Sequence, residues 1–246
     1  MRDETIVIFL SDNGMSFPFS KTNCYLNSNK TPLIIRWPGV VTPGRIEDRA
    51  MVSAVDFLPT ILDILSIKAP YKLDGMSYKR LLYGKKWRGP EYVYTHFTSN
   101  SGQYAEPMRC IQNHDFAYVF SPWADGEREF KSETTSGLSF KAMQRAAVSD
   151  STLARRVHFF RYRALEEFYD LRKDPDALHN LIEDPDYAPQ IAVFRKAMEQ
   201  KMVESGDNAL EAFRGRNDSA ILQRYITAQQ TKADGYKAVS YTHLRA

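Results

Sequence analysis

A run of β-branched and aromatic residues at positions 5–10 stops abruptly at Ser11-Asp12-Asn13-Gly14. Such an apolar run predicts a strand buried on both faces, and ligands of open parallel sheets bind beyond the carboxyl ends of these strands. The carboxylate of Asp12 and the side-chain carbonyl of Asn13 are hard oxygen ligands of the kind that Ca²⁺ or Mg²⁺ prefers. The same residues also suit a plain Asx turn, and these ten positions alone do not separate the two interpretations.

Two further segments make the pattern specific. Residues 17–23 are Phe-Pro-Phe-Ser-Lys-Thr-Asn, and residues 31–39 are Thr-Pro-Leu-Ile-Ile-Arg-Trp-Pro-Gly. A strand ending in Ser-Asp-Asn-Gly, a lysine soon after it and this second strand together resemble the second half of a sulfatase catalytic domain, in the alkaline-phosphatase-like superfamily. Within that superfamily the spacing is most similar to the heparan N-sulfatase (sulfamidase) group and its bacterial relatives.

The resemblance implies roles for three residues. Asp12 and Asn13 would bind the active-site calcium, and Lys21 would be the catalytic cation that holds a sulfate oxygen. Cleavage of a sulfuryl bond spreads charge over the sulfate oxygens, so fixed positive groups are needed where that charge develops. An isolated lysine is usually a solvated surface charge, and it is the preceding Asp-Asn pair that singles out Lys21.

The family's nucleophile is a formylglycine made from the first residue of a Cys/Ser-x-Pro-x-Arg motif. Neither Cys24 nor Cys110 lies in such a motif. The sequence therefore predicts that the nucleophile lies upstream and that this chain is a sulfatase fragment without activity of its own.

The predicted fold class is α/β: the C-terminal portion of an alkaline-phosphatase-like α/β sandwich, followed by a small antiparallel sheet with a packed helix. Residues 1–86 would complete the catalytic domain, 87–205 would form a C-terminal α+β subdomain with a substrate-pocket insertion, and 206–238 a helical extension. Residues 239–246 break with the preceding sequence and resemble a translated sequencing adaptor.

Local patterns predict several elements. Residues 53–65 have helical spacing with Asp56 as a cap or helix-start charge, and residues 92–97, 108–112 and 116–120 are typical of strands. Residues 187–205 predict an amphipathic helix that buries four apolar side chains, Ile191, Phe194, Met198 and Met202. Residues 167–171, with Asp174-Pro175 and Asn180-Leu181, resemble the signature that closes sulfatase C-terminal subdomains.

Substrate contacts are expected from residues that overhang the site. His96 and Arg109 are the substrate-binding candidates, although a satisfied core histidine is the commoner role for a residue like His96. The arginines between 155 and 163 could meet an anionic saccharide or form a solvated cationic face. Residues 98–102 lack the His-Glu pair that many sulfamidase-like relatives carry, so the choice between ester and N-sulfate stays open.

Composition excludes some functions. With 33 basic and 30 acidic residues the net charge is +3, and no basic stripe interleaved with aromatic residues predicts nucleic-acid binding. No apolar run approaches the roughly 20 residues needed to span a bilayer. The expected partner is a sulfated saccharide. Sulfatase relatives suggest a periplasmic, secreted or lysosomal location, any targeting signal would lie upstream of Met1, and the sequence does not indicate an oligomeric state.

Two rivals remain. A phosphodiesterase or phosphonate hydrolase of the same superfamily shares the fold, but such sites normally place Asp-His where this chain has Asp12-Asn13, because imidazole favours transition metals. A non-catalytic sulfoglycan-binding module would retain the anion pocket after loss of the nucleophile. The upstream sequence discriminates the second rival from an enzyme.

Overall fold

The computed structural model describes residues 2–99 and 104–243, with side chains up to residue 235. The strands are β1 (Val7–Leu10), β2 (Leu33–Arg36), β3 (Val93–Ser99), β4 (Ala105–Gln112), β5 (Phe116–Phe120) and β6 (Glu166–Asp170). The helices are α1 (Leu26–Asn29), α2 (Phe57–Ile64), α3 (Lys79–Leu82), α4 (Leu138–Ala146), α5 (Ser151–Tyr162), α6 (Ala188–Ser205), α7 (Leu210–Arg214) and α8 (Ser219–His243). Short 3₁₀ helices occur at Ala54–Asp56, Glu133–Ser136 and Pro185–Tyr187.

The chain forms two compact units. The first comprises Met1–Asp12 with Thr31–Val93, and the second comprises Asn13–Lys30 with Tyr94–Ala246. Residues 13–30, which follow the first strand in the sequence, thus belong to the second unit.

In the first unit β1 pairs antiparallel with β2, so that Val7 lies opposite Arg36 and Leu10 opposite Leu33. The prediction of a strand buried on both faces was wrong for β1, because Phe9 is 60% exposed and its neighbours are similarly open. The backbone N–H and C=O groups of the two strands form hydrogen bonds with each other. Burial of their side chains would also require another layer of structure packed against them. In this structure that ladder remains open to solvent.

Helix α2 begins as its sequence predicts. The carboxylate of Asp56 accepts the backbone N–H of Ser53 at 2.8 Å and that of Met76 at 2.7 Å, and Asp56 is buried. A Cβ on Gly75 would lie 2.0 Å from the carbonyl oxygen of Val55, so only glycine fits at this close approach. The predicted capping by the Asp56 side chain is found on the 3₁₀ helix Ala54–Asp56, which leads into α2, whereas α2 itself has no side-chain cap.

The second unit is built on a four-stranded sheet with the order β3-β4-β5-β6. Strands β4 and β5 are antiparallel, as are β5 and β6, with Arg109 opposite Phe120 and Phe120 opposite Glu166. Every residue of β4 is buried. The predicted antiparallel sheet is confirmed, and β6 joins it from far along the chain.

Helix α6 packs on this sheet with its predicted face. Its buried residues are Ile191, Phe194, Met198 and Met202. The ring of Phe194 meets that of Phe168 edge to face at 5.4 Å. The methionines are therefore core residues, as the spacing predicted.

The remaining helices complete the second unit. Helix α5 follows Asp150, whose carboxylate accepts the backbone N–H groups of Thr152 and Leu153. The backbone of residues 239–243 continues α8, and residues 244–246 lie outside the described residues. Residues 100–102 of the segment 98–102, which lacks the His-Glu pair, also lie outside them. Over the part of the chain that is described, no helix is both long and apolar enough to cross a bilayer.

Candidate functional site

The loop between β1 and β2 brings the two ends of the predicted site together. The backbone N–H of Gly14 donates to the carbonyl of Ser28 at 3.0 Å. A Cβ on Gly14 would lie 2.2 Å from the carbonyl oxygens of Ser20 and Asn27, so the chain passes too close there for any other residue. Since Asn13 precedes Gly14 and Lys21 follows Ser20, this contact places the two predicted site residues on neighbouring stretches of backbone.

The backbone around Lys21 is held in a fixed conformation. Its carbonyl accepts the side-chain N–H of Asn23 at 2.7 Å and the hydroxyl of Thr22 at 2.6 Å. Thr22 and Phe19 both have left-handed backbone angles, with φ of 57° and 65°. Such angles cost non-glycine residues free energy and persist where surrounding contacts impose them.

Phe19 supplies one of those contacts. The Phe19 ring is buried, and the Arg156 guanidinium lies 3.5 Å from its centroid while Phe160 meets it edge to face at 4.9 Å. Arg156 is itself fixed, because it donates to the carbonyl of Ala177 at 2.6 Å. The loop carrying Lys21 is therefore anchored on α5 by an aromatic side chain between cationic and aromatic neighbours.

A second anchor comes from the predicted closing signature. The buried carboxylate oxygen Oε2 of Glu167 accepts the hydroxyl groups of Tyr25 at 2.7 Å and Tyr169 at 2.6 Å. Burial raises the pKa of Glu167, and it raises the pKa values of both tyrosines as well. The glutamate of this signature thus fastens the Lys21 loop to β6, a contact that the sequence analysis did not find.

Arg163 lies in the same core. Its guanidinium sits 4.6 to 5.0 Å from the centroids of four rings, those of Phe19, Tyr25, Phe130 and Phe160. None of its side-chain nitrogens has a hydrogen-bond partner among the described residues. Aromatic faces stabilise this buried cation, so Arg163 belongs neither to a solvated face nor to a saccharide contact.

The amine of Lys21 lies close to the carboxylate of Glu133, in the same unit. Its Nζ atom lies 3.5 Å from Oε1 of Glu133, and the two side chains are 38% and 41% exposed. Lys21 is thus accessible to a dissolved anion.

Asp12 and Asn13 fall on either side of the division between the two units, Asp12 ending a segment of the first and Asn13 opening the second. The described residues contain no group of three or more His, Cys, Asp or Glu side chains suited to a metal ion. Calcium takes six to eight oxygen ligands, so the two side chains fit part of such a shell in kind but not in number. Their role in binding calcium stays a prediction.

The two predicted substrate residues differ in setting. His96 is exposed on β3, and its pKa is lowered by desolvation and by the charge of Arg109. Arg109 is buried and donates Nε and Nη2 to the carboxylate of Asp207 at 2.7 and 3.0 Å. Burial raises the pKa of Asp207, but the hydrogen bond and the charge of Arg109, together with hydrogen bonds from Tyr94 and the backbone of Ala209, outweigh it and lower the pKa overall. This geometry favours a structural role for Arg109 and leaves His96 the accessible member of the pair.

Both cysteines are core residues. Cys24 and Cys110 are buried, and burial raises the pKa of Cys24 to about 12 and that of Cys110 well above its ordinary value. A buried thiol of high pKa is a poor nucleophile.

Comparison with known proteins finds matches to sulfatases over most of the chain. The family described as N-sulphoglucosamine sulphohydrolase, C-terminal, matches residues 15–125, a stretch that includes Lys21. An ulvan-active sulfatase of Formosa agariphila is 29% identical over 208 residues, covering 83% of this chain and 37% of that protein. Human N-sulphoglucosamine sulphohydrolase is 30% identical over 219 residues, covering 83% of this chain and 43% of that protein.

Solved structures share the fold. A 2-O GAG sulfatase superimposes with a TM-score of 0.59 at 21% identity, covering 82% of this chain and 37% of that one. A phosphonate monoester hydrolase of Agrobacterium radiobacter superimposes with a TM-score of 0.56 at 21% identity, covering 82% and 36%. The chain therefore shares the fold of the corresponding part of these hydrolases and spans less than half the length of the relatives reported above.

Proposed function

We infer that the chain belongs to the sulfatase family, and we propose that it forms part of an enzyme that hydrolyses sulfate esters or N-sulfate groups of sulfated glycans. The observation that carries this proposal is the close approach of Gly14 to the carbonyl of Ser20, which holds Asn13 and Lys21 on adjacent backbone. Both residues occur in the pattern that resembles the family's active site.

In the proposed mechanism Lys21 donates hydrogen bonds from its ammonium group to a sulfate oxygen. A fixed cation at this place stabilises the charge that grows on the sulfate oxygens as the bond to sulfur breaks. The hydrogen bonds to the Lys21 carbonyl and the anchor at Phe19 fix the backbone of Lys21 in advance. Less conformational entropy is therefore lost when substrate binds.

Asp12 and Asn13 would donate side-chain oxygens to calcium, whose charge would add to that of Lys21. The remaining ligands and the formylglycine nucleophile would come from sequence upstream, since Cys24 and Cys110 are buried and lie outside the required motif. The polypeptide of residues 1–246 alone is accordingly proposed to be inactive.

The proposed substrate class is a sulfated saccharide such as a glycosaminoglycan, with His96 as a substrate-binding residue and export to a periplasmic, secreted or lysosomal location. Support comes from the names of the relatives, which act on ulvan and on N-sulphoglucosamine. Ester and N-sulfate linkages stay equal candidates.

A phosphonate hydrolase is the second candidate, because one such enzyme shares the fold with a TM-score of 0.56. The residue after Asp12 argues against it. Asn13 offers an amide oxygen rather than an imidazole, which suits calcium better than a transition metal.

The test is product identity with the complete reading frame expressed as one protein. A panel of sulfated saccharides, with ester and N-sulfate members, is compared with a phosphonate monoester, and released sulfate and alcohol are quantified. Sulfate release supports the sulfatase proposal, whereas turnover of the phosphonate alone supports the second candidate. Saccharide binding without release of any product would identify a non-catalytic binding module, and sulfate release by residues 1–246 alone would contradict the proposed inactivity.

A further inference from the structure

The proposed sulfate ligand already has an anionic neighbour in this chain. Lys21 Nζ lies 3.5 Å from Oε1 of Glu133. A carboxylate and a sulfate present the same kind of oxygen acceptor to an ammonium group, and their charges repel each other at this range. A sulfate that binds Lys21 must therefore displace Glu133 or bear its repulsion.

Glu133 is presented by a well-anchored turn. It opens the 3₁₀ helix Glu133–Ser136, in which Thr134 is buried. Just before it, the backbone N–H of Lys131 donates to the buried carboxylate of Glu106 at 2.6 Å. The hydroxyl groups of Ser132 and Thr134 are hydrogen-bonded to each other at 2.7 Å.

The backbone of Lys21 is equally fixed by the hydrogen bonds from Thr22 and Asn23 to its carbonyl. Many surface ion pairs join two mobile side chains and contribute little. The Lys21–Glu133 pair is likewise 38% and 41% exposed, so it is a weak pair that a better-held anion can displace. The ordered backbones fix only where the two side chains start, 3.5 Å apart at their charged ends in the structure.

We propose that Glu133 is an internal competitor for the sulfate-binding amine of Lys21. Its carboxylate neutralises Lys21 in the empty site and moves away when the sulfate group of a saccharide binds. This inference rests on the role proposed above for Lys21. One consequence is weaker retention of free inorganic sulfate, which has no saccharide contacts with which to overcome the competitor, so the product leaves more readily.

The test uses the complete protein, which would include the calcium ligands proposed to lie upstream, and inorganic sulfate as the probe. Acylation of Lys21 by an amine-reactive ester is followed by peptide mass spectrometry as sulfate is raised at constant ionic strength with chloride. Lys30, an exposed lysine on the same loop, reports reactivity that sulfate should not affect. Half-maximal protection of Lys21 gives the apparent Kd.

Glu133→Gln is compared with Glu129→Gln, which makes the same charge change. Glu129 pairs with Arg161 at 2.7 Å and is 37% exposed, close to the exposure of Glu133. Loss of an exposed competing pair should tighten sulfate binding by about two- to five-fold in Glu133→Gln, with little change in Glu129→Gln. Glu133→Ala should reproduce the effect, and circular dichroism confirms that each variant is folded.

The outcomes separate the two proposals. If sulfate protects Lys21 equally in the wild type, Glu133→Gln and Glu129→Gln, the competitor role is overturned while the sulfate role of Lys21 stands. If sulfate protects Lys21 no more than Lys30 in every variant, the proposed function of Lys21 fails and this inference fails with it.

Discussion

Replacing Tyr25 by phenylalanine tests the anchor that fastens the Lys21 loop to β6. The variant keeps the ring, so its contacts with Phe19 at 5.3 Å and Tyr169 at 6.2 Å are preserved and no cavity forms. It removes one of the two hydroxyl groups that donate to Oε2 of Glu167. Glu167 is fully buried, so water cannot replace the lost donor.

A hydrogen bond to a charged group contributes about 1.5–3 kcal/mol, and a neutral one about 0.5–1.5 kcal/mol. Since burial raises the pKa of Glu167, its stability contribution is present at low pH and is lost as the pH rises through the folded-state value. Loss of a donor raises that pKa further. The destabilisation of Tyr25→Phe should therefore be about 1 kcal/mol at acidic pH and should grow toward 2–3 kcal/mol as Glu167 ionises.

The assay is urea unfolding of the 246-residue chain at several pH values, analysed by linear extrapolation. Tyr71→Phe is the matched control, because Tyr71 is 66% exposed and its free energy of unfolding should change by less than about 0.5 kcal/mol. In a double-mutant cycle, Tyr25→Phe should cost much less in a Glu167→Met background, which has no oxygen to accept the hydroxyl. A cost within 0.5 kcal/mol of zero in the wild type (about the resolution of additivity tests), or an equal cost in both backgrounds, would refute the anchor.

Three further perturbations follow from the structure. Gly14→Ala should destabilise the chain by at least about 1–3 kcal/mol, because its Cβ would lie 2.2 Å from backbone oxygens. Gly235→Ala is the control in thermal unfolding and should be neutral or stabilising, because a Cβ there would meet open space. Arg109→Ala leaves a buried aspartate unpaired and should cost about 3–5 kcal/mol in urea unfolding, while Arg161→Ala in an exposed pair should cost less than about 1 kcal/mol. Burial raises the pKa of Glu106 from 4.5 to about 8, so wild-type stability should fall as pH rises between these values. Glu167 contributes to the same decline, so Glu106→Gln should make it shallower, and an unchanged slope in the variant would contradict the assignment.

Local patterns in the sequence were sufficient where one element's own residues decide its structure. The spacing of Ile191, Phe194, Met198 and Met202 identified the buried face of α6. Asn113 closes the turn between β4 and β5, since its side-chain oxygen accepts the backbone N–H groups of residues 115 and 116. In both cases the interacting residues lie within a few positions of each other.

The sequence was insufficient where distant residues decide the outcome. The pairing of Arg109 with Asp207 and of Tyr25 with Glu167 joins segments about a hundred residues or more apart, and no local pattern marks the partner. Arg109 was for this reason predicted to contact substrate. For β1, composition predicted a strand correctly but not its exposure, because burial depends on a packed layer rather than on the strand itself.

At the candidate site, too, some residues could be predicted from the sequence and others could not. The Asp-Asn pair and Lys21 were found from their resemblance to a known pattern, and the fold brings Asn13 and Lys21 onto adjacent backbone. The anchoring role of Phe19 and the position of Glu133 beside Lys21 were not predicted. A phenylalanine that anchors a loop and a glutamate in a charged insertion have no signal that separates them from ordinary core and surface residues.

The most direct test of the account is the effect of Lys21 on catalysis by the complete protein. With a sulfated saccharide that the enzyme hydrolyses, Lys21→Ala should lower kcat/KM by about 10²–10³, the range observed when one stabilising group for transition-state charge is removed. Lys30→Ala, at an exposed position of the same loop, should leave kcat/KM nearly unchanged. A Lys21→Ala enzyme as active as its Lys30→Ala counterpart would contradict the central claim that Lys21 binds the reacting sulfate.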